Sequence, residues 1–344
     1  MMILCVWLVV AAPLLGSTSR LAAALRPGGG VRVLPKMATA RRAAALGEDS
    51  SAPEVLEEDP PAVIVGTGRI GTLLASLGDR DVLWTRESGF PADAPAAGPI
   101  YVCTRNDAIP DIIDATPEDR RVDLVFLQNG NIRDYLRSRG FWGTQCLVYF
   151  AVANKGDPPT DGVTPLNPEG LTAVRGKWGR AFKARLAKAG LKCVIMQQDD
   201  PFLRAMLEKL IWICVFNLVG QVHGNCTVGE VLDKYEDEVD ALCAELAPVA
   251  GLAYGIKLKD SYLDRLKAYT RTVAHFPTAV KEFYWRNAWF VAISRRELRW
   301  GFPDPMPLHT KFLVDAGVMG PFREVPGDGR LEDNFDDWER PERR

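Results

Sequence analysis

The stretch that decides the fold is Pro61-Ala62-Val63-Ile64-Val65-Gly66-Thr67-Gly68-Arg69-Ile70-Gly71, with Thr72 to Gly78 (TLLASLG) directly behind it. PAVIV is a short apolar, β-branched run, and TLLASLG suits a helix, so the order is strand, GxGxxG turn, helix. In such a unit the first glycine permits the tight turn, the second lets backbone approach a pyrophosphate, and the third lets helix pack on strand. The helix N-terminus then faces negative charge. A glycine-rich turn also arises for packing alone, so the motif needs the rest of the chain to support it.

Working downstream, the second strand is Asp81 to Thr85 (DVLWT), followed by Arg86 where an NAD-selective site carries Asp or Glu. An arginine there suits NADP, because its planar fork can grip a 2′-phosphate. Pro99 to Cys103 (PIYVC) runs into Thr104-Arg105-Asn106, which puts a second arginine at a strand C-terminus, where open α/β sheets bind ligands. Val122 to Leu127 (VDLVFL) runs into Gln128-Asn129-Gly130, so Asn129 projects from a strand end, although Asn-Gly is also a common tight turn. Further strands are expected at Cys146 to Val152, Leu171 to Arg175 and Leu191 to Gln197, with a helix near Arg180 to Ala189. Strands alternating with helices predict a doubly wound, mostly parallel sheet over 61–199.

From Asp200-Pro201 the pattern is helical only, which predicts an all-helical domain over 200–322. Its first helix, PFLRAMLEKLIWICVFNLVGQ, is too apolar to face water and too short in its apolar part to span a bilayer. At about 100° per residue, Ile213 lies about 40° and Asn217 about 80° around from Lys209, placing the three on one side. A lysine bordering an apolar helix also snorkels, and an asparagine also satisfies a neighbouring backbone group, without further purpose. Val228 to Val249 reads as one amphipathic helix and Ser261 to Phe276 as another. From Thr278 a long aromatic helix is expected to run to Trp300, with Glu282 in its first turn, where a carboxylate favours the helix dipole. PMPLHTKFLVDAG closes the fold as a short helix, and 323–344 is a charged tail expected to be disordered.

The bulk composition narrows the partners. A formal charge of −2 over 344 residues gives no positive field to gather nucleic acid or an anionic membrane, leaving a small molecule as the expected ligand. Seven cysteines without a CxxC pair and three histidines (His223, His275, His309) without ligand spacing predict no metal and a reducing compartment. Upstream of the fold, 1–60 reads as presequence and linker. Met2 to Gly16 is an apolar signal-like core, and Ser17 to Leu46 is basic and free of acids. Together they resemble the bipartite presequence of proteins sent to plastids bounded by extra membranes. A second reading starts the protein at Met37 and leaves it cytoplasmic. Neither predicts a membrane span in the mature form.

Taken in order, these residues resemble the ketopantoate reductase (2-dehydropantoate 2-reductase) family, from about Ala62 to Gly317. Gly66, Gly68, Gly71, Arg86, Arg105 and Asn129 match its glycine turn, its two basic residues and its Asn-Gly. Lys209-Leu210 and Asn217 match its Lys-Leu helix, and Glu282, Asn287 and Gly301-Phe302-Pro303-Asp304-Pro305 match its later signature. The resemblance implies a Rossmann domain followed by a helical domain of the 6-phosphogluconate dehydrogenase-like type. It also implies NADPH as cofactor, reduction of a small 2-oxo acid, and a homodimer as the assembly to test. Lys209 would be the general acid, and Glu282 would orient that lysine or grip a substrate hydroxyl. Asn217, Asn129, Thr270 and Asn287 would hold substrate, and the turn residues Thr67, Arg69 and Ile70 would join the glycines around the coenzyme. Three departures stand out: Ile213 where the family has a second Asn, a short connection from Arg86 to Pro99 in place of a hairpin and strand, and no counterpart of a carboxylate-binding Ser, for which Thr270 or Thr272 lies nearest with His275 close by.

Overall fold

A computed structural model describes residues 59–322. The expected presequence, its localisation and the expected tail disorder lie outside the described residues.

Seven strands form one sheet: β1 (Val63–Val65), β2 (Val82–Trp84), β3 (Ile100–Val102), β4 (Leu124–Phe126), β5 (Thr144–Leu147), β6 (Ala173–Arg175) and β7 (Val194–Ile195). Their order is β2-β1-β3-β4-β5-β6-β7, parallel throughout except for the antiparallel β5–β6 pair. Period-2 alternation sends Val63 and Val65 to one face with Ile100, Val102, Leu124 and Phe126. Ile64, Tyr101 and Val125 go to the other face, against Leu74 of α1 (Arg69–Leu77) and Phe182 of α4 (Gly179–Ala187). The first face is covered by α2 (Ile109–Ala115) and α3 (Arg133–Ser138), which contribute Ile109, Ile113 and Leu136. Burial on both faces explains the uninterrupted apolar runs of the central strands. The strand order reverses between β1 and β3, which opens a crevice at their C-terminal ends.

A buried ion cluster anchors the opposite edge. Arg185 of α4, 0% exposed, donates to Asp81 at 2.5 Å and to Asp59 at 2.8 Å, while Asp81 also accepts the Ala62 amide at 2.8 Å. Asp81, expected as the first residue of a strand, thus joins the starts of β1 and β2 to a helix.

The remaining elements are helical. The 24-residue α5 (Asp199–Val222) lies at the centre, its Leu207, Ile211, Cys214, Val215, Phe216 and Leu218 fully covered. Around it pack α6 (Val228–Lys234), α7 (Glu236–Tyr254), α8 (Tyr262–Thr272), α9 (Asn287–Arg299) and α10 (Pro307–Asp315). Among the described residues, no helix is long and apolar enough to cross a membrane.

Three sequence expectations are corrected. Val228 to Val249 is two helices broken at Tyr235, because Glu236, Asp237 and Glu238 crowd one first turn and Lys234 ends the previous helix, a charge pattern that favours a new terminus there. The strand expected over Cys146 to Val152 is displaced to Thr144–Leu147; beyond it the chain leaves the ladder, and the Tyr149 amide bonds the Thr172 hydroxyl at 3.0 Å. The helix expected from Thr278 begins only at Asn287. Side chains of α5 take the amides that a first turn would use, Asn217 Oδ1 accepting from Ala279 at 3.2 Å and Gln221 Oε1 from Val280 at 2.8 Å. Glu282 is therefore not in a helical first turn. It sits at φ 50°, in the left-handed region that strains a residue with a Cβ.

Candidate active site

The glycine turn begins where β1 ends. Gly66 has φ +88°, and a Cβ on Gly71 would stand 1.9 Å from the Gly66 carbonyl, so α1 can dock on this turn only with glycine there. At Gly68 an added Cβ would meet nothing within 4 Å, leaving open space over the first residues of α1. Arg69 is occupied: its guanidinium donates to the Val152 and Ala153 carbonyls at 3.0 and 3.1 Å, tying the turn to the segment after β5.

That open space belongs to a cleft of about 460 Å³ at the β1/β3 switch point. Gly66, Gly68, Arg69, Ile70, Thr104, Arg105, Gln128, Asn129 and Glu282 are among the residues that line it. The strand ends that form its floor are stitched together. Gln128 donates to the Val102 carbonyl at 2.9 Å, and the Asn106 side-chain amide donates to the Asn129 carbonyl at 2.7 Å. Arg105 is exposed and 3.4 Å from Asp107. Arg86 is exposed in the turn after β2, outside this lining, and Thr67 is exposed on the rim of the turn.

Glu282 enters the cleft from the helical part of the chain. One oxygen accepts the Asn106 amide at 2.8 Å, and the other pairs with Arg286. Its segment docks on the Asn129-Gly130 turn. The Trp285 carbonyl accepts from Asn131 at 2.8 Å, and a Cβ on Gly130 would stand 2.3 Å from that carbonyl.

Lys209 is 5% exposed and donates to the Val148 carbonyl just past the C-terminal end of β5. Its ammonium lies 4.2 Å from the centroid of the Tyr149 ring. Burial brings this amine down to about 7, and the neighbouring Arg286 charge pushes the same way. Burial also pulls the Arg286 guanidinium below its usual value, against the opposing pull of Glu282.

The expected site residues therefore divide. The glycine turn, Arg105, Asn129 and Glu282 share one cleft; Lys209 is not among the residues that line it, and its amine feels the charge of Arg286, which Glu282 pairs. Glu282 was expected to orient Lys209 or grip a substrate hydroxyl; its carboxylate holds Arg286 and the Asn106 amide, so it does not orient the lysine directly. Thr270 is corrected to a core group: it is 0% exposed, its hydroxyl donating to the Leu266 carbonyl and accepting from Trp212, both at 2.8 Å. Asn287 is likewise buried, its Oδ1 3.0 Å from His309 Nε2. Asn217 spends its side chain on the Ala279 amide and on the Ile213 carbonyl at 2.9 Å. Thr272 bonds the Tyr269 carbonyl, and His275 is exposed against Phe276. Sequence reading missed Arg286, whose signal was its place four residues after Glu282, the spacing of a side-chain pair. It also missed the backbone groups of Asn106 and Val148, which no residue identity announces.

The arrangement is that of a two-part α/β and helical protein with a dinucleotide-type cleft at its sheet's switch point. In fold it matches the ketopantoate reductase type. A PanE/ApbA family ketopantoate reductase from Ralstonia eutropha JMP134 is 18% identical, with a TM-score of 0.52 over 75% of this chain and 98% of that one. The dimeric ketopantoate reductase from Staphylococcus aureus is also 18% identical, with a TM-score of 0.51 over 75% of this chain and 99% of that one. D-mandelate dehydrogenase, in its complex with NADH, is 14% identical, with a TM-score of 0.51 over 75% and 98% of the two chains. No protein-family model matches the sequence, and no curated protein matches it.

Proposed function

We propose that this protein is an NADPH-dependent reductase of a small 2-oxo acid, with 2-dehydropantoate as the first substrate to test and pantoate as its product. The observation that carries this reading is a glycine-turn cleft at the sheet's switch point that holds Asn129 and Glu282, with a buried lysine amine, brought to about 7, at the C-terminal edge of the same sheet.

The cleft fits a dinucleotide. The open space at Gly68 lies over the N-terminus of α1, where a pyrophosphate would be received, and Arg86 and Arg105 follow β2 and β3, where a 2′-phosphate and the backbone phosphates would meet them. When bound, the coenzyme supplies a hydride to the ketone carbon. Lys209 then gives the proton that converts the resulting alkoxide to an alcohol and is recharged from water. An ammonium suits this step, because it stabilises negative charge as it develops and holds its proton loosely near neutral pH. The Val148 carbonyl and the Tyr149 ring fix its position. Asn129 would help position the substrate and nicotinamide at the end of β4.

A second reading keeps the chemistry and changes the substrate to another branched or aromatic 2-oxo acid. It is favoured by the apolar Ile213 beside Lys209 and by the likeness in fold to D-mandelate dehydrogenase. The dimeric neighbour makes a homodimer the assembly to test. The decisive assay follows NADPH absorbance with ketopantoate and a panel of 2-oxo acids, on protein beginning near Glu54. Turnover with any of them supports the reading; tight NADPH binding with no oxidation by any acid replaces it with that of a non-catalytic NADP-binding protein.

A further inference from the structure

Arg286 pairs with the cleft residue Glu282, and its charge bears on the buried Lys209 amine. The other acid beside Lys209 in sequence, Glu208, is taken by Arg265 at 2.6 and 2.7 Å. The Arg105 charge also bears on Arg286, while Cys214, which feels the same guanidinium, is held neutral by burial. Among the described residues Arg286 is thus matched by a single carboxylate while its Nε is buried without a partner, and an unpaired buried donor is costly.

Arg286 also has donors to spare. Its side chain is 12% exposed, and among the described residues its one hydrogen-bonding partner is Glu282 and its buried Nε has none. A guanidinium carries five N–H donors in a fork that matches a carboxylate. The stem is fixed, since the Arg286 Cγ lies 3.3 Å from where a Cβ on Gly130 would be, at the turn that also presents Asn129. The backbone supports the placement: the left-handed Glu282 and the Trp285 carbonyl docked on Asn131 hold Arg286 at the junction of sheet and helices.

We infer that Arg286 binds the carboxylate of the 2-oxo acid, setting the specificity of the site for anionic substrates. This rests on the reductase reading and deepens it. The role needs no serine or threonine, which agrees with the burial of Thr270 in the core. With the carboxylate on Arg286, the adjacent ketone would lie by the Asn129-Gly130 turn on which the Arg286 segment docks.

The test uses protein saturated with NADP⁺, which cannot reduce the acid, so that binding is read apart from chemistry. Calorimetric titration with 2-oxoisovalerate should show binding to the wild type, and Arg286→Met should weaken it roughly ten- to hundredfold, the size of a lost charged hydrogen bond. Arg286→Lys should fall between. The double variant Arg286→Met/Glu282→Gln, which leaves no unpaired carboxylate, should show the same loss as the single one if removal of the guanidinium is the cause. The methyl ester of 2-oxoisovalerate should bind the wild type weakly and lose nothing further in the variants. Equal affinity of wild type and both methionine variants for the acid, or an ester bound as tightly as the acid, overturns the inference, as does a wild type that binds no acid. Arg286-dependent binding without NADPH oxidation would instead sustain the anchor and remove the reductase chemistry, so the two failures are distinguishable.

Discussion

The carboxylate of Glu282 accepts the backbone amide of Asn106 at 2.8 Å, a bond between residues 176 apart in the chain. Asn106 follows β3 and Glu282 precedes α9, so this bond closes the cleft between the sheet and the helical elements. It also fixes the carboxylate that holds Arg286. Glu282 adopts its strained φ of 50° in reaching this position.

Replacing Glu282 by Gln tests that linkage. The amide oxygen of Gln still accepts from Asn106, but the partner charge of Arg286 is lost. Leaving the guanidinium largely buried and unmatched costs about 1–3 kcal/mol, read as a lower urea midpoint with an unchanged m-value. Glu282→Ala should be worse, since it frees both partners. A Glu282→Gln protein as stable as the wild type would show that the ion pair contributes nothing.

Lys209 makes rate and stability move in opposite directions with pH. As the proposed proton donor it must be charged, so turnover should fall as pH rises through about 7. For stability, its folded pKa is depressed from the usual 10.5 to about 7, so between those values the unfolded chain binds the extra proton. Stability therefore gains from this residue as pH rises through that window. Lys209→Met should flatten the gain in urea midpoint between pH 7 and pH 9, while Lys209→Ala should lower turnover on the order of a hundredfold and leave coenzyme binding intact. A turnover profile flat from pH 6 to pH 9 would remove Lys209 as the acid.

Under the proposed function Arg86 selects the coenzyme. It is exposed after β2, where an NAD-selective protein presents an acid, so Arg86→Ala should weaken NADPH binding roughly tenfold or more and leave NADH nearly unchanged. The two dissociation constants, measured by nucleotide fluorescence at one ionic strength, check this. Loss of both in equal measure would mean that Arg86 supports the loop and does not read the phosphate.

Much of the frame was legible in the sequence. The central strands β1, β3 and β4 were legible because each is an apolar run buried on both faces, whereas β5 was displaced because Thr144 and Gln145 break the apolar pattern; the glycine turn was legible because its spacing follows from backbone geometry. The site was harder to read, since side chains compete for the same hydrogen bonds. Thr270 satisfies Trp212, Asn287 satisfies His309 and Asn217 straightens the segment before Glu282, and none of these pairings leaves a mark in the spacing of one chain. The helix expected from Thr278 failed for the same reason: its propensity was overridden by two α5 side chains that capture its amides.

The glycines of the turn should separate folding from binding. At Gly71 a methyl group would stand 1.9 Å from the Gly66 carbonyl and 3.3 Å from the Cys103 Cβ, and backbone cannot yield that far without moving α1 off the sheet. Gly71→Ala should therefore lower the melting temperature sharply and take coenzyme binding with it. At Gly68 the backbone has φ −73°, which any residue adopts, and the methyl would enter open space. Gly68→Ala should melt with the wild type, since replacing glycine at a compatible position costs the folded state nothing. It should nevertheless bind NADPH at least tenfold more weakly, because the new group occupies the space through which the pyrophosphate reaches the α1 amides. Thermal melts and coenzyme titration of the two variants check the pair, and a Gly68→Ala protein with unaltered affinity would mean that the phosphates do not lie over this turn.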